Sequence, residues 1–333
     1  MHLTDVVYEE AFHSSETFDY YYGEVRTGVF DIETTGLDAG RAKLILGGLL
    51  TPCADGVRVR QFFAEDIREE GELLALYAEA LAETDVLFSY NGDRFDIPFL
   101  NGRLARRRRP PAFGDCLSVD MYRVIRGYYE PGGALPNLKQ KTVERHMGLG
   151  DGREDLISGA DSVRLYYEYM ATKSPELLAY ILLHNGDDLR QLARILRVFD
   201  DLDAHRVAAH VGFPVRRGDS LAFVTKIKLG RRLLEFSGRY KSLPFDYIRF
   251  DEPWRILFSR ETESFDVSLP CLCERDVVFA DLRALDADDE EFAAYPLYGS
   301  GYLTLRRGSE TFFETVNRLV KRITLAVLER FEG

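Results

Sequence analysis

The sequence predicts two domains: an α/β domain over residues 1–204, a sheet covered by helices, and a smaller β-rich α+β domain with a C-terminal helix over residues 205–333. Three observations carry this reading. From about residue 25 to residue 200, strand-like and helix-like segments alternate, as they do where helices cover a sheet. After residue 204 the texture changes to short alternating runs separated by Gly, Pro and Ser. A chain of 333 residues, 46% hydrophobic and 29% charged, exceeds one domain of ordinary size and has the composition of a globular protein.

VFDIETT (29–35) reads as a buried strand ending in a turn at Gly36. KLILGGLLTP (43–52) and VRVRQFFAE (57–65) are two more, joined at the Asp55-Gly56 turn signal. GELLALYAEALAE (71–83) has helical spacing, and DVLFSY (85–90) is a strand running into Asn91-Gly92. RFDIPFLNGRLARRRR (94–109) predicts a helix opened by Asp93 as its cap, with Pro98 tolerated in the first turn and Pro110-Pro111 as the stop. Helical stretches follow at 119–126, 137–148 and 174–200. Beyond them, LAFVTKIKL, LLEFSGRY, DYIRF, RILFS, SFDVSL, DVVFADL and GYLTLRR are strands, and residues 311–331 close the chain as an amphipathic helix.

No apolar run approaches the roughly 18 residues of a membrane span, and the first thirty residues lack the apolar block of a secretory signal. The cysteines, Cys53, Cys116, Cys271 and Cys273, are too scattered for a disulfide framework, so a reducing, cytoplasmic compartment is expected. Net charge is −12, which on its face argues against a polyanionic partner. Residues 205–333 are nevertheless balanced, with 20 bases and 20 acids, and the segment Arg216–Lys241 is strongly basic through Lys226, Lys228, Arg231 and Arg232 among others. Arg103 and Arg106–Arg109 form a second basic block. Local charge of this kind suits phosphate contacts.

The carboxylates are the most informative residues. Side chains alternate along a strand, so Asp31 and Glu33 share one face while Phe30 and Ile32 take the other. Two acids side by side on an otherwise apolar strand call for a cation, or for solvent at a sheet edge. Asp96 follows the strand and turn DVLFSYNG, where an acid also complements a helix N-terminus. His184 and Asp188, four apart on the long helix, share a face, and Asp187 is rotated about 100° away.

FDIETTGL (30–37), NGDRFDIPFL (91–100) and HNGDDL (184–189), in that order, resemble the three motifs of the DEDD-type 3′–5′ exonucleases, DnaQ-like members of the ribonuclease-H-like superfamily. The stretch NLKQKTVERHMGLGDGREDLISG (137–159) resembles the YprB-like branch, where a lysine-bearing helix leads to an R-x-D-x-x-x-G segment. The resemblance spans about residues 27–200 and implies a ribonuclease-H-like mixed sheet flanked by helices. It implies two Mg²⁺ or Mn²⁺ ions held by Asp31, Glu33, Asp96 and Asp188, the donor set that hard divalent ions favour for phosphodiester hydrolysis. The substrate would be a DNA or RNA strand with a 3′ end, released as nucleoside 5′-monophosphates.

The resemblance further implies that Thr34, Thr35 and Leu37 line the terminal nucleotide, with Asn91 and Phe95 beside the strand. His184 occupies a position where the family's tyrosine branch carries Tyr, and a histidine can accept a water proton at neutral pH. It could equally orient Asp188 or contact phosphate. Arg106 and Arg107, with the basic face carrying Lys226, Lys228, Arg231 and Arg232, are candidates for phosphate contact. The same carboxylates would serve a structure-specific endonuclease, and the fold alone would serve a non-catalytic nucleic-acid-binding or partner-docking module. Phosphate-loop motifs for nucleoside triphosphates or NAD do not occur.

Overall fold

The strands of the first half pair into one six-stranded sheet. The structure, a computed structural model, describes residues 1–129, 135–149, 153, 159–241, 244–251, 254–285, 291–299 and 301–331. The chain divides into two units, Met1–Leu202 and Asp203–Gly333.

In the first unit the elements are β1 (His2–Tyr8), α1 (Glu16–Tyr22), β2 (Thr27–Thr34), β3 (Leu44–Cys53), β4 (Gly56–Phe63), α2 (Glu70–Ala82) and β5 (Val86–Ser89). α3 (Asp96–Arg106), β6 (Leu117–Asp120), α4 (Met121–Tyr128), α5 (Gln140–His146), α6 (Gly159–Thr172) and α7 (Pro175–Ile195) follow. The sheet order is β1-β4-β3-β2-β5-β6. β1 to β4 pair antiparallel, and β5 and β6 run parallel to β2, so the sheet is mixed. β2 is central and almost wholly buried. One face, with Phe30 and Ile32, packs on Leu73, Leu74 and Tyr77 of α2 and on Leu100 and Leu104 of α3. Across the other, Leu46 and Phe63 pack with Tyr166 and Tyr169 of α6 and Ile181 of α7.

Several elements differ from the sequence expectation. β1 has a largely exposed pattern, so it carries no period-two signal. Residues 117–120 form β6 and the helix expected from 119 begins at Met121, where Asp120 caps it by accepting from Tyr122 N at 3.0 Å. α3 begins at Asp96, and Asp93 is not its cap: Arg123 takes the Asp93 carboxylate at 2.5 Å. The long helix runs as α7 from the Ser174 cap with Pro175 in the first turn, then tightens to a 3₁₀ turn at Leu196–Asp200.

The second unit opens with α8 (Ala204–Val211), a helix that sequence reading did not anticipate. β7 (Phe213–Arg217), β8 (Ser220–Leu229), β9 (Leu233–Lys241), β10 (Tyr247–Arg249), β11 (Arg255–Ser259) and β12 (Ser264–Pro270) form an antiparallel sheet in the order β10-β11-β12-β9-β8-β7. β13 (Leu272–Glu274), β14 (Val277–Asp281), β15 (Leu297–Gly299), β16 (Tyr302–Arg307) and β17 (Glu310–Thr311) make a smaller one. α9 (Phe313–Leu328) packs against α8, β7 and β16. The register shifts between Val224 and Lys226, so Thr225 and Lys226 are both exposed.

Candidate active site

Each acidic motif sits where a strand or helix aims it at one cleft. On β2 the two-residue period sends Asp31 and Glu33 toward α7. β2 then turns: Thr34 Oγ1 donates to Gly36 O at 2.9 Å, Thr35 Oγ1 accepts from Lys43 N at 2.9 Å, and Leu37 is left 84% exposed. At the end of β5, Asn91 adopts φ 65° and its N–H reaches Asp120 Oδ1 at 2.8 Å. A Cβ on Gly92 would lie 2.3 Å from Ser89 Oγ, so the turn needs glycine there. This turn delivers Asp96 to the first position of α3, buried beside β2.

α7 supplies the rest. His184 Nε2 lies 3.5 Å from Glu33 Oε1 and 3.7 Å from Asp188 Oδ2. One ligand atom from each of Glu33, His184 and Asp188 falls within 4.8 Å of the others, a group that could hold a metal ion. Asp187 points elsewhere, to Arg190 at 3.5 Å. The second oxygen of Asp188 receives Arg153 at 2.5 Å, and Arg153 is itself held by the buried Glu144 through contacts of 2.6 Å. Gln140 Nε2 donates to Asp188 O at 3.0 Å.

The cluster is electrostatically unfavourable by itself. Burial pushes the Asp31 carboxyl well up, and the charges of Asp96, Asp188 and Glu33 push it further, against one hydrogen bond from Asn185. Burial likewise raises Asp96 to about 7, although its own and Ile32's backbone N–H groups oppose the shift. Such carboxyls hold protons until something positive replaces them. The four carboxylates offer the oxygen donors that hard divalent ions prefer, so these residues fit such a cation.

The cleft, about 730 Å³, is lined by Asp31, Glu33, Asp96, His184 and Asp188 together with Thr34, Leu37, Asn91 and Phe95. Thr35 is not among the lining residues; its hydroxyl is turned to Lys43. Arg106 and Arg107 also lie off the lining, and Arg107 leans on Glu70 at 3.3 Å. Arg103, expected in the same basic block, is buried and gives Glu70 a two-pronged pair at 2.6 Å. Part of that block therefore serves the α2–α3 interface. Lys226, Lys228, Arg231 and Arg232 are exposed on the second unit; Lys228 is 3.5 Å from Glu235, and Arg231 donates to Arg275 O at 3.1 Å.

Sequence reasoning assigned no role to Tyr90, Lys139, Lys141 or Arg153, which also line the cleft. The lysine-bearing stretch and the R-x-D segment marked the last three; Asp155 of that segment lies outside the described residues. Asn185, fully buried beside His184, had no signal beyond its neighbours.

Fold and site together define an α/β protein with a carboxylate-lined cleft at the centre of a mixed sheet. A family model described as the RNase_H superfamily matches residues 29–199, and the chain belongs to that family. The chain is 33% identical over 170 residues to Uncharacterized protein YprB of Bacillus subtilis (strain 168); the match covers 49% of this chain and spans 39% of that relative's length. Among solved structures, a family B DNA polymerase from the hyperthermophilic archaeon Pyrobaculum calidifontis matches with a TM-score of 0.41 and 15% identity, over 92% of this chain and 51% of that one. An exonuclease I structure matches with a TM-score of 0.40 and 12% identity, over 64% and 55%. No helix among the described residues is long and apolar enough to cross a membrane.

Proposed function

We propose that the protein is a divalent-metal-dependent 3′–5′ exonuclease that hydrolyses single-stranded nucleic acid to nucleoside 5′-monophosphates. The observation that carries this reading is the convergence of Asp31, Glu33, Asp96 and Asp188 in one cleft, with the exposed Leu37 at its rim. Asp31, Glu33, Asp96 and Asp188 would hold two Mg²⁺ or Mn²⁺ ions. When bound, such ions polarise the phosphodiester and lower the pKa of water. His184, between Glu33 and Asp188, takes the proton of the attacking water at Nε2. Thr34, Leu37, Asn91 and Phe95 seat the terminal nucleotide, while Lys139 and Lys141 meet the backbone.

The basic face carrying Lys226, Lys228, Arg231 and Arg232 guides the strand. Neutralising these positions reduces the slope of log affinity against log salt by up to about 3 on a single strand, at roughly 0.7 per phosphate contact. An unchanged slope removes the second unit from the substrate path.

The deciding assay is hydrolysis of 5′-labelled single-stranded DNA and RNA with Mn²⁺ or Mg²⁺, beside EDTA and Asp31→Ala. The expected result is a metal-dependent ladder shrinking from the 3′ end, absent in the variant. Internal cuts identify an endonuclease. Intact strands with retained binding leave a non-catalytic nucleic-acid-binding module.

A further inference from the structure

Asp31, on the central strand, is held by a polar relay that reaches the edge strand β1. Gln61, buried on β4, donates through Nε2 to Leu182 O at 2.8 Å and to Asn185 Oδ1 at 2.9 Å, and its Oε1 accepts from Thr4 Oγ1 of β1 at 3.1 Å. Each side of the amide has a partner of the opposite kind, so turning it over would set carbonyl against carbonyl. Asn185 then has no choice either. With Oδ1 facing Gln61, its amino group faces Asp31, and Nδ2 donates to Asp31 Oδ2 at 2.9 Å. Among the described residues no other group donates a hydrogen bond to that carboxylate. The place for Asn185 is cleared by Gly48, where a Cβ would sit 2.2 Å from Asn185 Oδ1.

We propose that Asn185 is a positioning residue: oriented by Gln61, it fixes the Asp31 carboxylate in the rotamer that receives a divalent cation. This rests on the reading of Asp31 as a metal ligand. Gln61 and Asn185 are buried and hydrogen-bonded at both ends, so the carboxylate keeps its orientation without the cation. Outer partners of this kind support metal ligands by orienting them.

The test is Mn²⁺ titration of the full chain, followed by the electron paramagnetic resonance signal of free Mn²⁺, with single-strand cleavage in parallel. The variants are Asn185→Leu, Gln61→Met, the two combined, and Asp31→Ala. Asn185→Leu is expected to weaken Mn²⁺ affinity about 10–100-fold, lowering kcat at saturating strand while KM for the strand holds. Gln61→Met is expected to weaken it less, and the double variant no more than Asn185→Leu, because Gln61 acts through Asn185. Wild-type Mn²⁺ affinity in Asn185→Leu, or additive losses in the double variant, overturns the proposal. Should Asn185→Leu not fold, judged by circular dichroism, Gln61→Met decides: wild-type affinity there overturns it. A folded wild type that binds no Mn²⁺, like Asp31→Ala, removes the ligand reading and this inference with it.

Discussion

Replacing Asp96 by Asn should make the metal-free protein more stable while removing a residue proposed for its chemistry. The unfolded chain releases the Asp96 proton near 3.8, and burial in the folded cleft holds that proton until about pH 7. At about 1.4 kcal/mol per tenfold change in proton affinity, the difference corresponds to about 4 kcal/mol. Its sign follows from proton binding. Between pH 4 and 7 the folded state carries more protons than the unfolded state, so wild-type stability falls as pH rises through that window and levels off above it. The amide introduced by Asp96→Asn carries no charge in either state, so the variant lacks this fall. The assay is urea unfolding in EDTA at pH values from 4 to 8. The variant should gain on wild type with rising pH, by up to about 4 kcal/mol at pH 8. Added Mn²⁺ should stabilise wild type at pH 8 more than at pH 5, because protons and cation compete for the same oxygens. Parallel pH profiles for variant and wild type would refute the argument, for then Asp96 is not a strained carboxyl.

The remaining predictions concern the groups around the cleft. Glu70→Ala leaves the buried guanidinium of Arg103 without its two-pronged partner and should cost about 3–5 kcal/mol of unfolding free energy in urea. Burial pushes the Glu70 carboxyl up, but Arg103, Leu44 N–H and Lys43 bring it below its ordinary value. Its contribution is therefore present above about pH 4.5 and lost below, and Glu70→Ala should flatten the acid limb of the stability curve. Glu144→Gln loosens the grip on Arg153 and should lower kcat about 10–100-fold in the strand-cleavage assay; unchanged turnover would show that Arg153 needs no anchor. Gly48→Ala places a methyl 2.2 Å from Asn185 Oδ1 and should cost about 1–3 kcal/mol while weakening Mn²⁺ binding, measured by urea unfolding and by titration.

The parts of the site legible in the sequence are those governed by period. A two-residue repeat put Asp31 and Glu33 on one face, and a four-residue step put His184 with Asp188 and sent Asp187 away to Arg190. The start of α3 was misread because Asp93 has the residue type of a cap, whereas its carboxylate is taken by Arg123, twenty-seven positions beyond Asp96 and distant in sequence. Arg103 was misread for the same reason: charge in a sequence says nothing of the Glu70 that faces it across two helices. β1 was silent because an exposed edge strand has no buried face to enforce alternation.

The paired glycines in LILGGLL show how a strand can record a site it does not itself line. Two adjacent glycines weaken a buried strand, and their neighbours explain both. A Cβ on Gly47 would lie 2.5 Å from the Tyr77 ring, and one on Gly48 2.2 Å from Asn185 Oδ1, on opposite faces of the sheet. Those neighbours converge on a single residue. The single Tyr77 hydroxyl proton is shared between Gly48 O at 2.8 Å and Asp31 O at 3.2 Å, and Asn185 donates to the Asp31 carboxylate. The glycines thus admit, from either face, the two groups that fix Asp31's main chain and side chain. A like-charged cluster gains nothing in stability from such clamping, since it holds repelling carboxylates together against burial and each other's charge. Rigid placement of that kind benefits a ligand that binds between the carboxylates, because the cation then meets an oxygen set whose orientation is already fixed.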